Sequence, residues 1–400
     1  MRILVVTHDL TECNAHLMPW RTVCEVVGRA RNRGCESRLL SLGSQRAELG
    51  GQGIPAGTLS IPKGREVLQQ EMEAVLEDWP CDALVWPLVW REPGWRVRAI
   101  SRLGVPLVGY FPGGVYRLVD TLYAAKRIGL RGALPYIVEA LSAKSRQLSR
   151  WRQRDFVRLI AMTELTAAAA RAGGWSGDEV RAIPPGRESG EIDMEMKPLP
   201  DDFIAWRGER PYYLFAGPPS GIRGIYELLG AFERLAEENR DVCLLCLFRS
   251  DAPLESARLR RLIEGMKYRA RVYTVWESVE RVLLDAYIAA CHSVVLPFVT
   301  VPSEIPLAII ESMRYGKPVI TTLTGGTGDY VSQSGMAVAL GDVDGLAASM
   351  QRLLSDSTFY ADRCAATLSC YRHHPDWDEM VDQWLDCISA GIAAVRGEVQ

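Results

Sequence analysis

Residues 294–347 read VVLPFVTVPSEIPLAIIESMRYGKPVITTLTGGTGDYVSQSGMAVALGDVDGLA. The apolar run Val294 to Phe298 leads into a loop. From about Pro306 to Tyr315 the pattern predicts a short helix. Pro306 suits a first helical turn and Gly316 the position just past a helix end. A second apolar run, Pro318 to Thr322, is followed by the turn Gly325-Gly326. Strand, helix, strand and glycine turn make a βαβ unit. Sheets built from such units bind ligands outside the carboxyl ends of their strands.

The predicted helix is apolar nearly all round through Leu307, Ala308, Ile309, Ile310 and Met313, yet it carries Glu311 in its middle. A carboxylate placed there is costly unless hydrogen-bond donors meet it. Either Glu311 faces water and pairs with Arg314 one turn on, or a ligand such as a ribose diol supplies the donors.

The order of motifs resembles the donor-binding region of GT-B glycosyltransferases, above all the retaining family four. The matching residues are Pro302-Ser303, Glu311, Gly316, Pro318-Val319, Gly325-Gly326 with Asp329, and Gly341-Asp342. In that family the glutamate at Glu311 holds the nucleotide ribose, and an earlier glutamate touches the donor sugar. Here Glu304 and Glu311 are one position closer together than the family's pair, and Ser303 stands at the family spacing. Either Glu304 serves from a shortened loop, or Ser303 has replaced the glutamate. The resemblance makes Glu304, Ser303 and Arg223 the catalytic candidates. It makes Gly217, Arg223, Ile305, Pro306, Leu307 and Glu311 the donor-binding ones.

Upstream, the apolar run Tyr212 to Ala216 is followed by Gly217-Pro218-Pro219-Ser220-Gly221-Ile222-Arg223-Gly224 and then a helix, Ile225 to Glu238. Family members carry two basic residues in this turn, both on the donor diphosphate. Pro218 replaces the first and Arg223 takes the place of the second. A guanidinium grips phosphate oxygens as a fork, and the following helix N-terminus adds free N–H groups. In the bland alternative Arg223 is a surface residue in a turn.

The first half of the chain alternates strand and helix. Strands are expected at Arg2 to Thr7, Ser37 to Leu42, Ala83 to Pro87, Pro106 to Tyr110 and Leu159 to Met162, with helices at Pro19 to Asn32 and Val67 to Trp79. This rhythm implies a parallel sheet covered on both faces. The loop after the first strand holds His8, Asp9, Glu12, Cys13, Asn14 and His16, where the family usually has glycines near the acceptor. His8, Asp9 and His16 are either an acceptor wall or ordinary polar loop residues. After Tyr110 stand Phe111-Pro112-Gly113-Gly114, in place of a histidine often found there. Gly113 and Gly114 would let the backbone approach a ligand closely.

Residues 117–158 stand apart in composition. Arg117, Lys126, Arg127, Arg131, Lys144, Arg146, Arg150, Arg152, Arg154 and Arg158 face only Asp120, Glu139 and Asp155. Leu118, Leu122, Ile128, Leu130, Leu134, Ile137, Val138, Leu141 and Leu148 are interspersed. Such a stretch is either a solvated basic face or a surface for anionic membranes or acidic partners.

Thr163-Glu164-Leu165-Thr166 opens an alanine-rich helix, and Pro184-Pro185-Gly186 closes the first domain as the family does. The expected division is 1–186 for an acceptor-side Rossmann-like domain and 187–210 for a polar linker. Then come 211–375 for a nucleotide-sugar-binding Rossmann-like domain and 376–400 for a helix returning to the first domain. Asp342-Val343-Asp344 imitates a metal-binding motif but sits at a helix start, where aspartate is a common cap. His373-His374 has no third ligand nearby and is expected at the polar surface.

Composition narrows the class. The 400 residues are 48% hydrophobic and 24% charged with a formal net charge of -3, which suits a globular protein and argues against a general nucleic-acid binder. No run approaches the ~20 apolar residues of a membrane span, and the apolar part of MRILVVTHDL is too short for a signal peptide. The ten cysteines are scattered. A strand would point Cys243 and Cys246 to opposite faces, so reduced thiols in a cytoplasmic protein are expected.

The resemblance thus implies an α/β GT-B fold, two Rossmann-like domains facing across a cleft. It implies transfer of a sugar, of hexosyl or N-acetylhexosaminyl type, from a UDP- or GDP-linked donor with retention. No metal or separate cofactor is expected. The acceptor would be a small molecule, a glycan or a lipid-linked molecule, and 117–158 would suit the inner membrane face. Three departures at Pro218, Ser303 and Phe111–Gly114 also fit a non-catalytic partner that keeps the fold to bind a sugar or another enzyme.

Overall fold

A computed structural model of the protein describes residues 1–11, 14–43, 56–59, 64–88, 94–114, 117–141, 149, 152, 156–190, 197–239, 241–249, 253–301 and 303–397. The first half runs β1 (Arg2–His8), α1 (Trp20–Ala30), β2 (Glu36–Leu42), β3 (Ala56–Leu59), α2 (Arg65–Asp78), β4 (Ala83–Pro87), α3 (Gly94–Ile100), β5 (Leu107–Phe111), α4 (Leu118–Leu141), β6 (Phe156–Ala161), α5 (Glu164–Ala172) and β7 (Val180–Ala182). The second runs α6 (Asp201–Arg207), β8 (Tyr212–Gly217), α7 (Ile225–Glu238), β9 (Cys243–Phe248), α8 (Pro253–Glu264), β10 (Val272–Val275), α9 (Arg281–Ala290), β11 (Ser293–Leu296), α10 (Leu307–Arg314), β12 (Val319–Thr322), α11 (Thr327–Ser332) and β13 (Met336–Val338). Then follow α12 (Val343–Ser355), α13 (Ser357–His373) and α14 (Trp377–Arg396).

Two parallel sheets result, in the orders β3-β2-β1-β4-β5-β6-β7 and β10-β9-β8-β11-β12-β13. β4 and β9 are buried along their whole length, as strands covered by helices on both faces must be. In each sheet the chain first builds outward on one side and then crosses to the other. The crevices therefore fall beside β1 in the first sheet and between β8 and β11 in the second.

The last helix ties the halves together. Asp376 and Glu379 close a capping box at its start, satisfying two backbone donors reciprocally. Met380, Trp384 and Ile388 are fully buried, each worth roughly 2 kcal/mol. The Trp384 ring lies 4.7 Å from Tyr110 of β5, and Arg158 donates to the Ala390 carbonyl at 3.0 Å. Arg29 and Arg33 pair with Asp378 at the opposite edge of the helix.

Some expectations differ from the fold. The stretch 187–210, expected as a polar linker, contains α6, whose Phe203 is fully buried and packs edge-on to Tyr212, Tyr273 and Tyr287. That stretch is therefore partly built into the second sheet's core. His374 is not at the polar surface: it is 7% exposed, because α13 ends facing the chain that leaves the first domain. Its Nε2 lies 2.6 Å from the Pro185 carbonyl and its Nδ1 2.9 Å from the Tyr330 hydroxyl. A carbonyl only accepts, so Nε2 carries the proton and Nδ1 accepts from Tyr330. Burial lowers the His374 pKa to about 4, which keeps the ring neutral. His373 is exposed. The expectations at Glu12, Cys13, Lys144, Arg146, Leu148, Arg150, Arg154, Asp155 and Pro302, and for the side chains of Ile128 and Glu139, lie outside the described residues.

Candidate functional site

A cleft of about 1300 Å³ opens where β8 and β11 part. Gly217, Pro218 and Arg223 form one part of its wall, and Ser303, Pro306, Leu307, Ala308 and Glu311 another. Ala15 to Arg21, Glu25 and Glu188 face them from the first domain and the crossing chain.

The turn that carries Arg223 is held from both sides. The amides of Val299 and Thr300 donate to the Ile222 carbonyl at 2.8 and 3.2 Å, stitching the loop after β11 to the turn before α7. Gly224 is left-handed, with φ of 75°, and a Cβ there would stand 1.7 Å from the Pro297 carbonyl oxygen. Only glycine allows both the conformation and the approach. The Arg223 guanidinium lies 5.5 Å from the centre of the Phe298 ring.

Arg249 also lines the cleft, and the sequence reading missed it. It is the first residue after β9, and its amide donates to the Gly217 carbonyl at 3.3 Å. The available signal was a cation directly after a fully apolar run, at a strand's carboxyl end. Only the pairing of β9 with β8 brings it beside the turn. It stands in the same cleft as Pro218, where the family's first base is absent.

Glu311 reaches the cleft with a side chain 15% exposed, and its carboxylate pairs with Arg281 of α9. The partner is therefore Arg281 and not Arg314, which lines the cleft separately. Arg281 also holds Asp285 at 3.1 Å. At the α10 N-terminus the Ile309 amide donates to the Pro306 carbonyl at 3.0 Å, the amides ahead of it have no intrahelical acceptor, and Pro306, Leu307 and Ala308 present that end to the cleft.

Ser303 and Glu304 part company. Ser303 lies on the cleft wall, its hydroxyl 3.1 Å from the Met162 sulfur. Glu304 is fully buried between the two domains. One carboxylate oxygen accepts from the Thr163 and Thr166 hydroxyls at 2.6 and 2.9 Å, and the other from the Gly326 amide at 3.0 Å. Its own amide donates to the Pro112 carbonyl at 3.2 Å, and its carbonyl accepts from the Thr327 hydroxyl at 2.6 Å. The carboxylate is thus occupied by protein donors, and Glu304 does not line the cleft. Ile305 is also buried off the wall, with its amide 3.2 Å from the Met162 sulfur.

The acceptor-side candidates fall elsewhere. Gly114 backs onto Glu304 and Gly325, and Gly113 onto Phe111, so these glycines admit protein rather than opening to the cleft. His8 ends β1 and Asp9 follows it, and neither lines the cleft. His8 packs edge-on to Trp86 at 6.4 Å, and burial followed by the Arg96 charge lowers its pKa to about 4. The wall is instead made by the next part of the loop, His16 to Pro19, and by the start of α1. The His16 pKa is lowered by burial, then by Arg249 and Arg21, so its ring is neutral at pH 7.

The remaining motifs are structural. Asp342 caps α12 by accepting from the Gly345 amide at 2.8 Å, and Asp344 pairs with Arg234. Among the described residues no three His, Cys, Asp or Glu side chains group as metal ligands. Cys243 and Cys246 are both buried in β9, and burial pushes both thiols up.

Residues 210–356 match the family model described as "Glycosyl transferases group 1". No curated protein matches the chain. Among solved structures, a glycosyltransferase from Rickettsia africae has a TM-score of 0.72 at 16% identity, covering 98% of this chain and 98% of its own. Anabaena HepE in complex with UDP-glucose has a TM-score of 0.69 at 16% identity, covering 98% and 100%. Sucrose-phosphate synthase from Thermosynechococcus elongatus has 0.68 at 16%, again covering 98% and 100%. The likeness is one of fold, and the fold is the GT-B fold that the sequence motifs imply.

Proposed function

We propose that the protein transfers a hexosyl or N-acetylhexosaminyl group from a nucleoside diphosphate sugar to an acceptor hydroxyl. One observation carries this. Across a single switch point, Arg223 and the open N-terminus of α10 share a cleft with the Glu311 carboxylate, one turn into that helix. Guanidinium and free amides suit a diphosphate, and an acceptor-only carboxylate suits a ribose diol. The family match spans this wall, and the UDP-glucose bound to HepE supports a UDP-linked donor.

As the bond from the anomeric carbon to the diphosphate breaks, negative charge grows on the leaving group. In this reading Arg223, Arg249 and the first amides of α10, which share the cleft, stabilise it, and no metal is required. The acceptor enters along the wall of His16 to Arg21, where the neutral His16 ring can take a proton. Retention is the stereochemistry carried by the resemblance to family four. Incubation with UDP-glucose, UDP-N-acetylglucosamine and GDP-mannose, with release of the nucleoside diphosphate measured, tests the proposal. Slow donor hydrolysis is expected, and it should persist in a strong chelator. Loss on chelation, restored by a divalent ion, would overturn the metal-independent part.

A non-catalytic reading has one observation in its favour. Ser303 stands on the cleft wall at the family spacing, and the nearby carboxylate of Glu304 is committed to the domain interface. Tight nucleotide-sugar binding with no release, across acceptors as well as water, would establish that reading instead.

Glu311→Ala is expected to weaken nucleoside diphosphate binding roughly tenfold to a hundredfold, the range of a hydrogen bond to a charged group. The fold should survive, because Arg281 keeps Asp285 as a partner. Calorimetric titration decides it, and unchanged affinity would remove the ribose role.

A further inference from the structure

Arg281, the first residue of α9, stands between two carboxylates. Its Nε lies 3.1 Å from Asp285 Oδ2, one turn on in the same helix, and its Nη1 donates to Glu311 Oε1 on α10. Different nitrogens are thus committed to two helices, which fixes the plane of the guanidinium. All three residues line the cleft. The Asp285 and Glu311 side chains are only 14% and 15% exposed, so protein partners rather than water decide how each carboxylate is turned.

The pair uses one end of Glu311. Arg281 takes Oε1, and among the described residues no hydrogen bond reaches Oε2. A carboxylate oxygen accepts and cannot donate, so Oε2 calls for a hydroxyl or an N–H. Glu311 has a competing cation in Arg314, which follows it on the same face of its own helix. Pairing with Arg281 rather than Arg314 therefore sets where the carboxylate is held and which oxygen it presents.

We propose that Arg281 is the positioning residue of the ribose site: it holds Glu311 by Oε1 so that Oε2 meets a ribose hydroxyl, and Asp285 fixes the guanidinium in turn. This rests on the reading of Glu311 as the ribose carboxylate. A carboxylate set before the nucleotide arrives spares the site the ordering of a long side chain on binding. An ion pair that only links α9 to α10 would stabilise the two helices and leave the choice among nucleotides untouched, which separates the two roles.

Calorimetric titration of the full chain with UDP and GDP, and with the 2′-deoxy and 3′-deoxy forms of the tighter binder, tests it. The native protein is expected to bind at least one deoxy form roughly tenfold or more weakly, the range of a hydrogen bond to a charged group. In Arg281→Ala that discrimination should fall to within about threefold, because the carboxylate is released to Arg314. Arg281→Lys should recover part of it, keeping the charge without the fork, and Asp285→Asn should lose a smaller part. The Arg281 side chain is 42% exposed, so circular dichroism should show Arg281→Ala folded, and the two milder variants read the same ratio if it is not. Glu311→Ala should lose the discrimination altogether. Native discrimination in Arg281→Ala, even with all forms weakened alike, would overturn the role of Arg281 alone. Discrimination that survives Glu311→Ala, a native protein that shows none, or binding of neither UDP nor GDP would overturn the ribose reading and this proposal with it.

Discussion

Glu304→Ala is expected to lower stability by about 3–5 kcal/mol, the range for removing one partner of a buried charged group. The Thr163 and Thr166 hydroxyls and the Gly326 amide would lose their acceptor in a site closed to water, and each buried donor left unpaired costs about 1–3 kcal/mol. Thr163 and Thr166 belong to the first domain and Gly326 to the second, so the loss should also loosen the domains from each other. Glu304→Gln should recover part of it, because its carbonyl can still accept from Gly326 while the threonine hydroxyls turn to accept from its amide. Ser303→Ala, by contrast, should leave the unfolding midpoint almost unchanged. Denaturant unfolding followed by circular dichroism measures all three. A Glu304→Ala protein as stable as the native one but without turnover would return the carboxylate to the chemistry.

Arg223→Ala should weaken nucleoside diphosphate binding roughly tenfold to a hundredfold, since a hydrogen bond between charged groups is worth ~1.5–3 kcal/mol. The monophosphate should lose less, because it lacks the second phosphate. Arg223→Lys should recover part of the loss, keeping the charge but not the planar fork. Arg249→Ala should act in the same direction, since Arg249 lines the same cleft at the end of the neighbouring strand. Titration of each variant with both nucleotides gives the comparison. Equal weakening of the two, or none, would make Arg223 a structural residue of its turn.

Local pattern and spacing made much of the molecule legible. Ala83–Pro87 and Ile225–Glu238 lie where apolar runs and periodicity put them, because burial on both faces of a strand, or on one face of a helix, is written in consecutive residues. Gly224 and Arg223 were legible for a similar reason, since a sharp turn between strand and helix restricts its residues locally. The short edge strands Ala56–Leu59 and Met336–Val338 were not, because few residues and partial burial leave no period to read. Tertiary structure alone decided which of two adjacent residues faces the cleft: Ser303 does, and Glu304 turns to threonines more than a hundred positions away. It also chose Arg281 as the partner of Glu311, brought Arg249 beside Gly217, and buried His374 against Pro185. The physical reason is common to all four. A side chain's periodicity reports how its own element is buried, but its partner is set by sheet order and domain contact, which join residues that no local pattern relates.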